Sequence, residues 1–178
     1  MIESKIIFTG PVGVGKTTAI AAISDEPPIQ TDARASDMTL ARKANTTVAM
    51  DYGVIRLDES TKVHLYGTPG QERFDFIWEI LSQGSIGLIL MLDNTRSNPL
   101  KDLQFFMEAF ADLIAMAPMV IGVSKMDLQS KPDLDVYREY LNSNNINAPV
   151  FEVDAREESD VKNLVMALLF SIDPGLEA

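Results

Sequence analysis

The stretch that most restricts what this chain can fold into is Gly10-Pro11-Val12-Gly13-Val14-Gly15-Lys16-Thr17. It spells G-x-x-x-x-G-K-[ST]. An apolar run, Lys5-Ile6-Ile7-Phe8-Thr9, precedes it, and Thr18-Ala19-Ile20-Ala21-Ala22-Ile23 follows. The first reads as a buried strand and the second as the opening turns of a helix, so the loop joins strand to helix. Successive backbone N–H groups can wrap a phosphate chain only where side chains stay clear, which is the use of Gly10, Gly13 and Gly15. Val14 and Thr18 belong to the same binding set. The helix start turns its positive dipole end toward the anion. Lys16 adds a full charge for the terminal phosphates, and the Thr17 hydroxyl is a hard oxygen suited to Mg²⁺. A nucleotide is the expected ligand.

Beyond this loop the chain reads as alternating strands and helices. Ser24 to Ala44 is polar, carries Pro27-Pro28 and shows no periodicity, so it reads as a long loop. Val48 to Leu57 and Lys62 to Tyr66 read as two strands, and a turn as short as Asp58-Glu59-Ser60 makes them antiparallel. Ile86 to Leu92, Met119 to Val123 and Pro149 to Val153 are apolar enough for strands covered on both faces. Helical spacing links Leu100, Leu103, Phe106, Met107, Phe110, Leu113 and Ile114. A shorter helix carries Leu134, Tyr137 and Leu141, and a last one runs from Val161 to Ile172. The expectation is α/β: six strands, mostly parallel, in the order 2-3-1-4-5-6, with helices on both faces and one antiparallel edge pair. Ligands of such sheets sit beyond the carboxyl ends of the strands.

Composition narrows the partners. A formal net charge of −11 is the wrong sign for a nucleic-acid backbone or an acidic membrane surface. With no cysteine and one histidine, a zinc site of the usual ligand types is excluded. The sequence offers no signal peptide, transmembrane run or lipidation motif, and a single cytoplasmic domain over residues 1–178 is expected. His64, between Val63 and Leu65 on a strand, reads as structural.

Further pieces fall where a nucleotide site on this sheet needs them. They are Thr46-Thr47 before the second strand, Gly67-Thr68-Pro69-Gly70-Gln71-Glu72-Arg73-Phe74 after the third, Ser124-Lys125-Met126-Asp127 after the fifth and Asp154-Ala155-Arg156 after the sixth. Together with the first loop they resemble the Ras-like small GTPases over nearly the whole chain. The prokaryotic branch, related to the signal recognition particle receptor beta subunit and to bacterial polarity GTPases, is the most similar. The resemblance implies a P-loop NTPase of the Ras-like G-domain fold, with the phosphate loop at 10–17 and switch segments at about 24–47 and 67–81. It implies that Asp127 accepts from the guanine N1–H and amino group, that Lys125 packs along the base and that the Ala155 N–H reaches the guanine O6. Ser124 stands where the family usually has Asn. Thr17 and Thr47 become the Mg²⁺ ligands, with Thr46 as the fallback for Thr47. Gly70 contacts the γ-phosphate, Gln71 orients the attacking water, and Lys16 and Gln71 are the catalytic pair.

The chain departs from the pattern at Gly67, where the family usually has a metal-holding Asp, and at Val12, where a glycine is common. Asp154 and Arg156 also differ from the usual flanks of Ala155. Arg34, Arg42 and Lys43 are candidate charge donors to the γ-phosphate. Phe74, Phe76, Ile77, Trp78, Ile80 and Leu81 are too many apolar residues for one helical face. Either the helix is deeply covered or some of them are exposed as a partner surface when GTP orders the loop, with Phe74 and Trp78 preferred for that role. A GTP-hydrolysing switch with a protein partner is the leading expectation, and the resemblance to the bacterial branch implies a Roadblock-type dimer as a candidate partner. A nucleotide-holding scaffold with little turnover and a P-loop kinase remain open beside it.

Overall fold

In the computed structural model, residues 2–34, 47–70 and 75–173 are described. The chain runs β1 (Ile2–Thr9), α1 (Lys16–Ile23), β2 (Ile29–Arg34), β3 (Thr47–Arg56), β4 (Thr61–Gly67), α2 (Asp75–Ser82) and β5 (Gly87–Asp93). It continues through α3 (Pro99–Ala109), α4 (Ala111–Met116), β6 (Met119–Ser124), α5 (Leu134–Ser143), β7 (Val150–Val153) and α6 (Glu158–Ile172). One sheet holds the strands in the order β2-β3-β4-β1-β5-β6-β7. The six strands read from the sequence are all present, in the expected order. The seventh, β2, corrects both the strand count and the reading of Ser24–Ala44 as loop. It pairs antiparallel with β3 from Ile29 opposite Tyr52 to Arg34 opposite Thr47. An edge strand is held by its backbone ladder on one side, so it needs no apolar run to announce it.

Side-chain alternation explains why the central strands are apolar throughout. On β1 and β5, Ile6, Phe8, Ile89 and Met91 face one cluster, where Ile20 of α1 and Leu164, Val165 and Leu168 of α6 cover them. Ile7, Leu88, Leu90 and Leu92 face the other, under Trp78, Leu103, Phe106, Phe110 and Tyr137. Every residue of β5 and β6 is buried. A parallel strand with helices on both faces has no side left for water.

The helix starts follow local chemistry. Asn98 accepts a hydrogen bond from the Lys101 N–H and Pro99 sits in the first turn of α3, a compatible pairing of cap and fixed φ. Asp133 caps α5 by accepting from the Val136 N–H. The single helix expected over 100–114 is two, α3 and α4, broken at Phe110, whose backbone (φ −108, ψ 20) leaves the helical region. Its ring stays buried against Trp78, so the apolar spacing runs on through the break. Strands β1, β4, β5, β6 and β7 run parallel, and their carboxyl ends open at one edge of the sheet.

Candidate functional site

At that edge the phosphate loop curls between β1 and α1. Gly10 has φ +139, and a Cβ there would lie 2.1 Å from the Met91 carbonyl oxygen; no L side chain fits so close to backbone. Gly15, also at positive φ, is the N-cap of α1, and no side chain caps the helix. The first-turn N–H groups are therefore left for an anion. Lys16 is buried, and its ammonium donates to the carbonyls of Gly10 (2.7 Å) and Pro11 (2.9 Å), arching back over the loop. Burial pulls its pKa down to about 8, against the pull of the Asp51 carboxylate in the other direction. Val12 projects outward and is exposed.

The other end of the site is built from β6 and the turn after β7. Ser124 is buried and donates through Oγ to the Leu92 carbonyl (3.0 Å) and, more weakly, to that of Val14 (3.4 Å). It thereby ties the two halves of the site together. Lys125 sits at φ 60, reaches Gly13 O at 3.2 Å and pairs with Asp93 Oδ2 at 2.5 Å. Burial alone would raise the Asp93 pKa, but the hydrogen bonds from Lys125 and Thr95 outweigh it and hold the carboxyl below its usual range. The Lys125 stem is thus aimed across the cleft and fixed at its tip. Ala155 packs on Gly15, where a Cβ would come within 2.8 Å of its own.

These pieces line one cleft of about 580 Å³, with Gly13, Gly15 and Thr18 on one wall and Ser124, Lys125, Asp127 and Ala155 on the other. The size suits a small organic ligand. Asp127 is exposed on that wall. The departures from the family's usual flanks have a local explanation. Asp154 and Arg156 form a two-pronged ion pair, Arg156 Nε to Oδ1 at 2.9 Å and Nη2 to Oδ2 at 2.6 Å, which holds the Asp154 pKa down to about 2. These two side chains satisfy each other beside Ala155, and all three residues line the cleft.

The phosphate side continues into the segment after β4. The Thr68 N–H donates to the Phe8 carbonyl (2.9 Å), and its hydroxyl meets that of Thr9 (2.8 Å), both buried. A Cβ on Gly70 would lie 2.6 Å from Val12 N and 2.8 Å from Pro11 C. Gly70 therefore rests directly on the phosphate loop. Gln71 lies outside the described residues, as do Phe74, Thr46, Arg42 and Lys43. Thr47 opens β3 opposite Arg34, and its side chain is outside the described set.

Trp78 corrects one expectation. It is 2% exposed, stacks on Phe110 and donates through Nε1 to the Pro69 carbonyl at 2.9 Å. It is an internal anchor for the segment and no partner contact. Phe76 and Ile80 are the exposed apolar residues of α2. His64, as expected, is structural: Nδ1 lies 2.7 Å from the Tyr52 hydroxyl and Nε2 is 3.7 Å from the Glu3 carboxylate. Two groups of the site escaped the sequence reading, Asp93 and Asp51. Asp93 is recognisable only from its partners, as is the pairing of Asp154 with Arg156. Asp51 Oδ2 accepts from Thr17 Oγ1 at 2.6 Å, a contact that spacing along the chain does not announce.

A Gly-rich strand–loop–helix on a mainly parallel sheet, with the remaining loops gathered at the same edge, defines a P-loop α/β nucleotide-binding fold of the Ras-like kind. The chain belongs to the family described as conserved hypothetical ATP binding protein, whose profile matches residues 26–171. That match begins beyond the phosphate loop. The chain is also similar to mutual gliding-motility protein MglA of Myxococcus xanthus, at 26% identity over 82% of this chain and 78% of the relative. Ras-related protein Rab-1C of Dictyostelium discoideum is 27% identical over 94% and 80%. GTP-binding protein YPT1 of Saccharomyces cerevisiae is 24% identical over 92% and 76%. The relatives thus include Ras-related and GTP-binding proteins. None of the described helices is long and apolar enough to cross a membrane.

Proposed function

We propose that this protein is a guanine-nucleotide switch: a single G domain that binds GTP with Mg²⁺, hydrolyses it to GDP and phosphate, and makes a protein contact in one nucleotide state. One observation carries the reading. Gly15 at the uncapped start of α1 and Asp127 line one cleft, and Lys16 arches back over the phosphate loop that leads into it. The amides and Lys16 take the phosphates, and Asp127 accepts two hydrogen bonds from the guanine N1–H and 2-amino group. Adenine offers no such donor pair, and a buried mismatch of polar groups makes discrimination large. Bound Mg²⁺ neutralises charge on the β- and γ-phosphate oxygens. The donors near Lys16 suit it, since Thr17 and Asp51 offer hard oxygens. Gly70, lying on the phosphate loop, places its N–H for the γ-phosphate, Gln71 orients the water, and Lys16 stabilises charge on the transferred group.

The switch segments are 24–47 and 67–81. Phe76 and Ile80 on the exposed side of α2 supply an apolar contact for a protein partner in the cytoplasm, and a Roadblock-type dimer is one candidate.

The family's description favours a second reading, in which adenine nucleotides bind instead. Competition separates the two. A labelled GDP analogue should be displaced by GTP and GDP and at least about 100-fold less well by ATP. Asp127→Asn presents an amide that donates where the carboxylate only accepted. It should lose guanine affinity by about tenfold to a hundredfold and gain affinity for xanthosine diphosphate, whose 2-carbonyl replaces the amino group. Equal displacement by ATP would overturn the guanine reading.

A further inference from the structure

Gly67 ends β4 where a metal-holding carboxylate is expected, and the neighbouring strand supplies one. Asp51 of β3 is the cross-strand partner of Gly67. A Cβ built on Gly67 would lie 2.9 Å from Asp51 Cβ and 3.0 Å from its Oδ2. The Asp51 side chain therefore fills the volume that a side chain at 67 would take. Its carboxylate reaches the first turn of α1 and accepts from Thr17 Oγ1 at 2.6 Å. Its field also reaches Lys16. We propose that the metal-shell carboxylate of this protein has moved from β4 to β3: Asp51, beside Thr17, holds the divalent cation, and Gly67 is glycine because Asp51 needs the space.

The argument is one of charge and room. A divalent cation against a polyphosphate takes oxygen ligands and keeps several waters, so a carboxylate within reach of its shell adds to its binding. Among the described residues, the hydroxyl of Thr17 has a carboxylate partner only in Asp51. When a cation takes the Thr17 oxygen, that hydroxyl must still direct its proton to an acceptor, and Asp51 Oδ2 is placed to receive it. The two positions cannot both carry a carboxylate, because the contact at 67 is tighter than real Cβ atoms show. The inference rests on the nucleotide reading above.

The test uses the full-length protein and the dissociation rate of a fluorescent GDP analogue, with Mg²⁺ or after chelation by EDTA. In the native protein chelation should speed release at least about tenfold. Asp51→Asn keeps an oxygen that can accept from Thr17 but loses the charge. It should release the analogue in EDTA at nearly the native rate while losing most of the slowing by Mg²⁺. Its half-saturating Mg²⁺ concentration should rise about tenfold or more. Gly67→Asp alone should be destabilised or bind poorly, whereas the reciprocal double variant, Asp51→Gly with Gly67→Asp, should recover Mg²⁺ dependence. A structural role for Asp51 would leave the Mg²⁺ response of Asp51→Asn intact, and that result overturns the inference while the nucleotide reading stands. Release that ignores Mg²⁺ in the native protein also overturns it. Failure of the native protein to bind any guanine nucleotide overturns both.

Discussion

Lys16 shows how one residue carries the cost and the use of this site together. It is buried and held at a pKa of about 8 against an ordinary 10.5. The unfolded chain keeps the lysine charged up to about 10.5, so the penalty on the empty protein is fully present below about pH 8 and is relieved as pH rises from 8 toward 10.5. A polyphosphate reverses the balance, because it favours the charged form. Above about pH 8 the free protein carries this lysine mostly neutral, so binding should take up most of one proton. Calorimetry in buffers of different ionisation enthalpy reads that uptake directly. Affinity should weaken as pH climbs above 8, by up to about tenfold per unit. Lys16→Arg, charged throughout, should bind without proton uptake; equal uptake in the variant would assign the proton elsewhere. The residues whose place in the site is legible in the sequence, such as Lys16, Gly10 and Asp127, are positioned by spacing to a strand end. Asp51 was not legible, because its role exists only through the register that sets it opposite Gly67.

Among the elements, α2 departs furthest from what periodicity suggested. Its apolar residues exceed one face, and exposure of Trp78 was one way to resolve the excess. The structure resolves it by giving Trp78 to an aromatic stack of Phe105, Phe106 and Phe110 on α3 and its end, leaving Phe76 and Ile80 outside. Sequence spacing cannot say which of six apolar side chains wins the interior; the ring cluster across the groove decides it. The same limit hid β2, which pairs with β3 through its backbone ladder, and the break at Phe110, where the side chain keeps the helical period that the backbone abandons. The Nε1 bond to Pro69 couples α2 to the segment that lays Gly70 on the phosphate loop. Trp78→Phe keeps an aromatic ring and removes that bond. It should cost about 1 kcal/mol in urea unfolding. Because Pro69 then loses its tether, affinity for a non-hydrolysable GTP analogue should fall more than affinity for GDP. An unchanged ratio of the two would mean that Gly70 is positioned without help from α2.

At the scale of the molecule, the sheet is a frame that sets two half-sites at a fixed separation. The phosphate loop follows β1 and the turn proposed to bind the base follows β6, with β5 alone between them, though more than a hundred residues of chain separate the loops. The frame is stiff where it matters: β5 and β6 are buried along their whole length, and Ser124 bonds across to both Leu92 and Val14. When two half-sites are preorganised, a ligand that spans them loses its translational and rotational freedom once, whereas two separate pieces each lose it. Guanosine alone and pyrophosphate alone should therefore raise the melting temperature only slightly. GDP with Mg²⁺, at about 100 times its dissociation constant, should add about 2.7 kcal/mol, or about 5–11 °C for a chain of this size. The GDP shift should exceed the sum of the other two at the same concentrations. A pyrophosphate shift as large as that of GDP would mean that the β6 end holds nothing, and the site would then be an anion cradle with no base pocket.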